Sequence, residues 1–144
     1  MAKFLMIDDN PIEHLLMQAM FDKFLIFPDT IHNEDALASM DFFRQNCNVE
    51  DELPDVVFLD LNMPGFSGWD FLKKFRKVNA QIKKPVDIYI LTTSINPTDK
   101  LRAECYSFVK GFISKPITPD ALLFLHSKYF NLQFDLTSTD EPVN

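Results

Sequence analysis

Polar side chains of three chemical kinds follow short apolar runs in this sequence, each at the point where a run ends. They are an acidic pair, a single acid, two hydroxyls and an amine: Asp8 and Asp9, Asp60, Thr92 and Thr93, and Lys115. Crowded carboxylates repel one another and raise each other's pKa unless a cation lies among them. Mg²⁺ meets that need, because it binds carboxylate oxygens while keeping positions for phosphate oxygens. These residue types therefore predict a metal-assisted phosphoryl-transfer site, provided that the fold brings them together.

The same residue types could also carry the transferred group. A carboxylate can attack a phosphoryl group and hold it as an aspartyl phosphate. The ammonium group of Lys115 and a threonine hydroxyl would stabilise the charge that spreads over the transferred group. The chemistry thus needs a carboxylate from one chain segment beside an ammonium group and a hydroxyl from two others.

The apolar runs have the pattern of buried strands that alternate with amphipathic helices. The predicted elements are β1 (4–7), α1 (12–24), β2 (27–32), α2 (36–43), β3 (56–59), α3 (69–75), β4 (86–91), α4 (from 96 or 98 to 106), β5 (108–113) and α5 (118–129). In α1 the apolar face is predicted at helical spacing: Ile12, Leu15, Leu16, Ala19, Met20, Lys23 and Phe24. Such alternation predicts βαβ units and a parallel sheet. Ligands bind such a sheet at the carboxyl ends of its strands, where all the candidate residues lie.

Composition narrows the classes of function. The chain has 144 residues and a formal net charge of −7, so its field repels nucleic acids and anionic membranes. Cys47 and Cys105 lack the spacing of a disulfide framework or a zinc site. No apolar run reaches the ~18 residues of a spanning helix, and no signal peptide is recognisable. We expect a cytoplasmic protein without nucleic-acid or membrane partners, organised as one domain over 1–130 and a polar tail over 131–144 with no second domain.

From Lys3 to Tyr129 the sequence resembles a response-regulator receiver domain of two-component signalling, here a stand-alone one. The motifs that carry the resemblance are the acidic pair after β1, Asp60 within the run from Leu59 to Gly65 followed by Gly68, the hydroxyl after β4, and Lys115 with Pro116 after β5. The resemblance implies an α/β, flavodoxin-like doubly wound sheet of five parallel strands in the order 2-1-3-4-5, with five helices. It also implies a bacterial phosphorelay, and no catalysis beyond the domain's own phosphorylation and dephosphorylation.

The resemblance assigns a role to each site residue. Asp60 would accept the phosphoryl group from a sensor histidine kinase or a phosphotransfer protein. Asp9 would bind Mg²⁺ (or Mn²⁺) directly and Asp8 mainly through water, while Asp60 and the backbone carbonyl of Asn62 complete the metal site. Lys115 would stabilise the phosphoryl group. No other cofactor is implied.

The resemblance also implies a switch that ends in protein binding. Phosphorylation would draw a threonine hydroxyl inward; the spacing to Asp99 favours Thr92, and counting back from Lys115 favours Thr93. The inward movement would free space for Phe112, which has the position of the family's switch aromatic but lacks the hydroxyl of a tyrosine. The face formed by α4, β5 and α5 would then bind a downstream protein or support a homodimer on activation.

Two other functions use similar residues. A phosphatase of the haloacid-dehalogenase type also uses an aspartate nucleophile, Mg²⁺ and a lysine, but its nucleophile follows the first strand in an Asp-x-Asp motif. Here Asp60 follows the third strand, and Asn62 stands two residues later. A receiver that works only as a non-phosphorylated binding module would lack one of the acids or Lys115, and all are present. The three histidines, His14, His32 and His126, are interpreted as surface or packing residues.

Overall fold

A computed structural model describes residues 2–138, and it describes the surroundings of side chains up to residue 130. Within this part of the chain, five strands alternate with five α-helices. Their bounds are β1 Phe4–Ile7, α1 Pro11–Phe24, β2 Ile31–Asn33, α2 Ala36–Gln45, β3 Val56–Asp60, α3 Gly68–Asn79, β4 Asp87–Thr92, α4 Pro97–Glu104, β5 Val109–Ser114 and α5 Pro119–Ser138. In the described residues, no helix is long and apolar enough to cross a membrane.

The strands form one parallel sheet in the order β2-β1-β3-β4-β5, which confirms the predicted topology. The register pairs Ile7, the last residue of β1, with Leu59, which directly precedes Asp60 at the end of β3. Further along the same edge, Thr92 pairs with Ser114. Parallel pairing therefore brings the carboxyl ends of β1, β3, β4 and β5 to one rim of the sheet.

Both faces of the sheet are covered by apolar clusters. Because successive strand residues point to opposite faces, Val57 and Leu59 pack on one side with α2 and α3, while Val56 and Phe58 pack on the other with α1 and α5. Every residue of β1 and of β3 is buried. This two-sided burial explains why both strands are continuous apolar runs. It leaves the strand ends as the place where polar groups can gather.

The buried face of α1 differs from the prediction. Ile12, Leu15 and Leu16 are 61%, 70% and 57% exposed, whereas His14 and Met17 lie buried with Phe21. The prediction was wrong because α1 has apolar residues on most of its circumference, so that helical spacing alone does not choose a face.

The ends of several elements also differ from the prediction. β2 occupies only Ile31–Asn33, because Phe27 and Asp29 adopt positive φ angles of 47° and 63° and form a turn where a strand was expected. α4 begins at Pro97, with the Asn96 side chain accepting a hydrogen bond from the Thr98 N–H. α5 continues through Ser138, beyond its predicted end at residue 129. Residues 139–144 of the predicted tail lie outside the described residues.

Gly68 is needed where α3 begins behind the end of β3. A Cβ at this position would lie 2.4 Å from the Asp60 carbonyl oxygen and 2.6 Å from the Leu61 Cα. Both are backbone atoms, so the clash could be relieved only by moving the segment that presents Asp60. Gly65 has φ of +82° but open space around its missing side chain.

We therefore expect Gly68→Ala to lower the free energy of unfolding by about 2–3 kcal/mol through overpacking. Gly65→Ala, which introduces backbone strain without a clash, should lower it by about 1–2 kcal/mol. Urea unfolding of the two variants beside the wild type measures both values. Equal stability of the two variants would contradict the role assigned to close approach at Gly68.

Candidate functional site

Three carboxylates meet at the carboxyl ends of β1 and β3. One oxygen each of Asp8, Asp9 and Asp60 lies within 4.8 Å of the others. Asp8 is 1% exposed and Asp60 is 6% exposed, while Asp9 is open to solvent. The Asn10 N–H donates to the Asp8 carboxylate at 2.9 Å and holds it in the loop. The neighbouring strands thus place two buried acids and one exposed acid around one point on the rim.

Lys115 brings a cation to this cluster from β5, at the edge of the sheet. Its Nζ donates to the Asp8 carboxylate at 2.9 Å and lies 3.5 Å from an Asp60 oxygen. The Lys115 backbone N–H donates to the Thr92 carbonyl at 2.7 Å and ties the loop after β5 to the end of β4. Burial disfavours the charged amine, but the hydrogen bond to Asp8 and the charge of Asp60 outweigh burial and raise the pKa of Lys115. The lysine therefore stays cationic between two acids.

Asp60 is held in an environment that opposes its charge. Burial raises the pKa of its carboxyl, and the charge of Asp8 adds to that rise. Lys115 and a hydrogen bond from the Asn62 N–H act in the other direction without cancelling the rise. An additional cation at this point would relieve both burial and repulsion.

The composition of the cluster fits a hard divalent metal ion. Three carboxylates and one ammonium leave two negative charges that no described side chain neutralises. All the donor atoms of the cluster are oxygens, which Mg²⁺ and Mn²⁺ prefer over nitrogen or sulfur ligands.

The side chains of the remaining predicted residues lie around the cluster, and none of them is hydrogen-bonded to its carboxylates in the described contacts. Thr92 is the last residue of β4 and is buried, with its Oγ1 accepting from the Ser94 N–H at 3.0 Å. Thr93 lies beyond the strand and is exposed. Asn62 is an exposed residue of the loop that follows Asp60. Phe112, on β5, is partly buried against the cluster that packs under α2 and α3.

A chain of hydrogen bonds through two histidines supports the acidic loop. His14, which is buried on α1, donates from Nε2 to the Asp8 carbonyl at 2.7 Å. Its Nδ1 lies 2.7 Å from the Nδ1 of His32, whose Nε2 is 2.8 Å from the Gln18 Oε1. Burial lowers the pKa of His32, and the neighbouring His14 lowers it further. The backbone of Asp8 is thus fixed from below while its carboxylate faces the rim.

This chain of hydrogen bonds was not predicted from the sequence. The spacing of His14 and Gln18 on α1 does place the two side chains on one face, since residues four apart are neighbours on a helix. His32, however, reaches them from β2, and that contact depends on β2 pairing beside β1 in the folded sheet. The histidines were interpreted as separate surface or packing residues, and the structure brings two of them, His14 and His32, into direct contact.

Comparison with known proteins identifies the family. Residues 4–125 match the model of the response regulator receiver domain, so the chain belongs to this family. Protein PilH of Pseudomonas aeruginosa is 28% identical over 123 residues, which cover 85% of this chain and 93% of PilH. Response regulator Rcp1 of Synechocystis is 30% identical over 108 residues, covering 71% of this chain and 72% of Rcp1. The chain also matches hybrid signal transduction histidine kinase C of Dictyostelium discoideum, of whose length it spans 10%.

Solved structures show the same fold. A two-component response regulator from Cytophaga hutchinsonii superposes with a TM-score of 0.77 at 26% identity, covering 90% of this chain and 96% of that one. The Mn²⁺-bound form of Rcp1 superposes with a TM-score of 0.68 at 23% identity, covering 100% and 98% of the two chains.

Membership in the family defines the class of function. The chain is a phospho-accepting signalling switch, and the phosphatase alternative has no support among these matches. Receiver domains bind Mg²⁺ or Mn²⁺ in an acidic pocket, and they interact with histidine kinases and phosphotransfer proteins. They are generally signalling modules and not enzymes.

The hydrogen bond from His14 to the Asp8 carbonyl leads to a prediction about stability. His14→Phe fills the site but leaves this buried carbonyl without its donor, which should lower the free energy of unfolding by about 1–3 kcal/mol. His32→Phe keeps the bond from His14 to Asp8, and it should cost less. Urea unfolding measures both variants. A smaller loss for His14→Phe than for His32→Phe would show that the bond to Asp8 is unimportant.

The raised pKa of Asp60 leads to a pH-dependent prediction in metal-free buffer. A carboxyl whose pKa is higher in the folded chain binds protons more tightly when folded, so its contribution to stability is lost as the pH rises through that pKa. Asp60→Asn removes the charge, and the variant should therefore unfold at higher urea concentration than the wild type near neutral pH. The difference should shrink as the pH falls below the Asp60 pKa.

Urea titrations across this pH range, with a chelator present, measure the difference between the two proteins. Asp51→Asn serves as the matched control, because it removes one carboxylate at an exposed position in the turn before β3. A wild type that is more stable than Asp60→Asn near neutral pH would contradict the unfavourable environment described for Asp60.

Proposed function

We propose that Asp60 is the residue that accepts the phosphoryl group, in a site completed by Asp8, Asp9, Lys115 and the backbone carbonyl of Asn62. The observation that carries this proposal is the position of the Lys115 ammonium, 2.9 Å from Asp8 and 3.5 Å from Asp60. The ion pair with buried Asp8 fixes the Lys115 ammonium beside Asp60. There it can attract an anionic phosphoryl group to Asp60. Mg²⁺ or Mn²⁺, held by the carboxylates and the Asn62 carbonyl, would neutralise the remaining charge and bind phosphoryl oxygens.

The transfer step moves one phosphoryl group between two side chains. A carboxylate oxygen of Asp60 forms a bond to phosphorus while the bond from phosphorus to the imidazole nitrogen of a donor histidine breaks. The electron pair of the broken bond stays on that nitrogen. Lys115 stabilises the charge that develops on the phosphoryl oxygens.

Thr92 is proposed as the switch hydroxyl in preference to Thr93. It ends β4 as a buried residue at the rim, and its carbonyl already accepts from the Lys115 N–H. Thr93 is exposed and outside the strand. The Thr92 hydroxyl, whose oxygen accepts from the Ser94 N–H, would turn inward to donate to a phosphoryl oxygen, and Phe112 would move into the space that this leaves.

The exposed stripe on α1 is proposed to bind the histidine kinase or phosphotransfer protein. Ile12, Leu15 and Leu16 occupy neighbouring positions on the helix and are exposed. α1 begins at Pro11, just after the acidic pair, so a protein docked on this stripe lies next to the rim. The apolar stripe supplies contact area and the adjacent site receives the phosphoryl group.

The face formed by α4, β5 and α5 is proposed to bind the downstream protein, or a second copy on activation. Leu101 on α4 and Phe124 on α5 are large exposed apolar residues, and Phe112 lies on the strand between these helices. The domain is proposed to extend over 1–130, to catalyse only its own phosphorylation and dephosphorylation, and to use no nucleic-acid partner.

The phosphoacceptor is tested by intact mass spectrometry after incubation with phosphoramidate. The wild type should gain one phosphoryl group in the presence of Mg²⁺ and none in the presence of a chelator. Asp60→Asn should gain none, because an amide is not a nucleophile for phosphorus at neutral pH. Lys115→Gln should be modified more slowly by about 10²-fold or more, as is typical when a charge-stabilising donor is removed.

Glu104→Gln is the matched control, since Glu104 is an exposed acid at the end of α4. Its rate of modification should equal that of the wild type. Thr92→Ala and Thr93→Ala compare the two hydroxyls, and only the former should alter the lifetime of the modification. If Asp60→Asn gained as much mass as the wild type, the phosphoryl group would be assigned to another residue.

A further inference from the structure

A second concave surface lies between α2 and α3. It is a groove of about 780 Å³, a volume within the range of known ligand sites. Four cations line it: Arg44 from α2, and Lys73, Lys74 and Lys77 from α3. None of these residues contacts the acidic cluster in the described structure. The groove is thus separate from the site at Asp60.

The positive charge of the groove is only partly compensated, although the chain as a whole carries −7. Arg44 contacts Asp41 at 3.2 Å in a pair that is exposed on both sides. Among the described residues, no carboxylate lies within 4.0 Å of the amines of Lys73, Lys74 or Lys77. The many acids of this chain thus form no ion pairs with these three lysines in the described residues.

The one acid that lines the groove is engaged at the start of α3. The Asp70 carboxylate accepts from the Ser67 N–H at 3.0 Å, and the Ser67 hydroxyl caps the helix in return. These hydrogen bonds from Ser67 lower the pKa of Asp70. The charges of Lys73 and Lys74 lower it further, so Asp70 offsets part of the positive charge at this end of the groove. In the described contacts, Asp70 forms no ion pair within 4.0 Å with either lysine.

The lysines lie close together on the surface of α3. Lys73 and Lys77 are four residues apart, and Lys74 and Lys77 are three apart, so their like charges are neighbours and repel. Asp70 offsets part of this repulsion at Lys73 and Lys74, and the helix dipole favours Lys77 in the last turn. Packing does not require these charges, because the buried side of α3 is formed by apolar residues. An anionic ligand would attract each of these lysines and offset their mutual repulsion.

The floor of the groove is apolar. Phe66 and Val78 line it, and the Lys74 amine lies 5.9 Å from the centre of the Phe66 ring. Phe66 is only partly buried, so that a side chain of a ligand can contact its ring. The groove thus combines a cationic rim with an aromatic surface, and it suits a ligand that carries both acids and an apolar group.

We propose that this groove binds an acidic segment of a partner protein, about five or six residues long, that carries one aromatic side chain. α3 has 12 residues and is about 18 Å long, which an extended chain spans in that number of residues. A nucleic acid fits less well, because its phosphates continue beyond the groove over a surface of negative net charge. The proposal does not depend on phosphorylation of Asp60.

The probe is a fluorescein-labelled peptide of about six residues, all acidic except for one central phenylalanine. Its affinity is measured by fluorescence anisotropy with the full chain. The double variant Lys73→Gln/Lys77→Gln should bind it about tenfold more weakly, mostly through slower association, because charges at an exposed rim act chiefly on the association rate. The matched double variant Lys100→Gln/Lys110→Gln removes the same charge at exposed positions outside the groove, and it should change the affinity less than about twofold.

A second peptide, with alanine in place of phenylalanine, tests the aromatic contact. The wild type should bind it more weakly than the first peptide, by about threefold to tenfold for a pair of aromatic rings. In Phe66→Ala this preference should disappear, while the dependence on Lys73 and Lys77 remains. Circular dichroism of each variant shows whether it is folded.

Three results would overturn the proposal. Equal weakening in the two double lysine variants would mean that only the total charge matters. Absence of binding to the folded wild type at millimolar peptide would mean that the groove does not bind acidic segments. Tighter binding of a single-stranded oligonucleotide than of the peptide, lost in Lys73→Gln/Lys77→Gln, would assign the groove to nucleic acid instead.

Discussion

The site depends on one electrostatic constraint, which is that two buried carboxylates at the ends of neighbouring strands share a single half-buried ammonium. Lys115 contacts Asp8 and lies beside Asp60, but one positive charge cannot neutralise both acids and the exposed Asp9 as well. The parallel sheet is the scaffold that makes this arrangement possible, since it brings segments more than fifty residues apart to one rim. The remaining negative charge gives the site its need for a cation and for a charged substrate.

Crowding of this kind opposes folding, and the packing beneath it must offset the opposition. β1 and β3 are buried on both faces, and large side chains such as Phe58 and Phe75 fill the layers on either side. His14 holds the Asp8 backbone from one side, and Gly68 lets α3 start directly behind Asp60 from the other. The acids can be crowded because the backbone that presents them is fixed by contacts that do not involve their charges.

The strand order was predicted from the resemblance to a receiver domain. The residues at the rim were predicted from the sequence itself, because a buried parallel strand and the polar residue at its end leave a local pattern. Asp8, Asp60 and Lys115 were found in this way. The buried face of α1 was not, since Leu15 and Leu16 are as apolar as the residues that are buried. The contact of His14 with His32 was also missed. It joins a helix to an edge strand of three residues, and neither partner has a local pattern that specifies the other.

The loop after β3 connects the rim to the groove between α2 and α3. Its first residue, Leu61, accepts a hydrogen bond from the Gly68 N–H at 3.1 Å, and Phe66 from the same loop lines the groove. A charge added at Asp60 and a ligand seated on Phe66 therefore act on one short segment of backbone. If the ligand binds the phosphorylated and unphosphorylated forms with different affinities, thermodynamic linkage requires that the bound ligand shift the phosphorylation equilibrium of Asp60 by the same factor. The groove would then report the state of Asp60 on a face of the molecule other than the one formed by α4, β5 and α5.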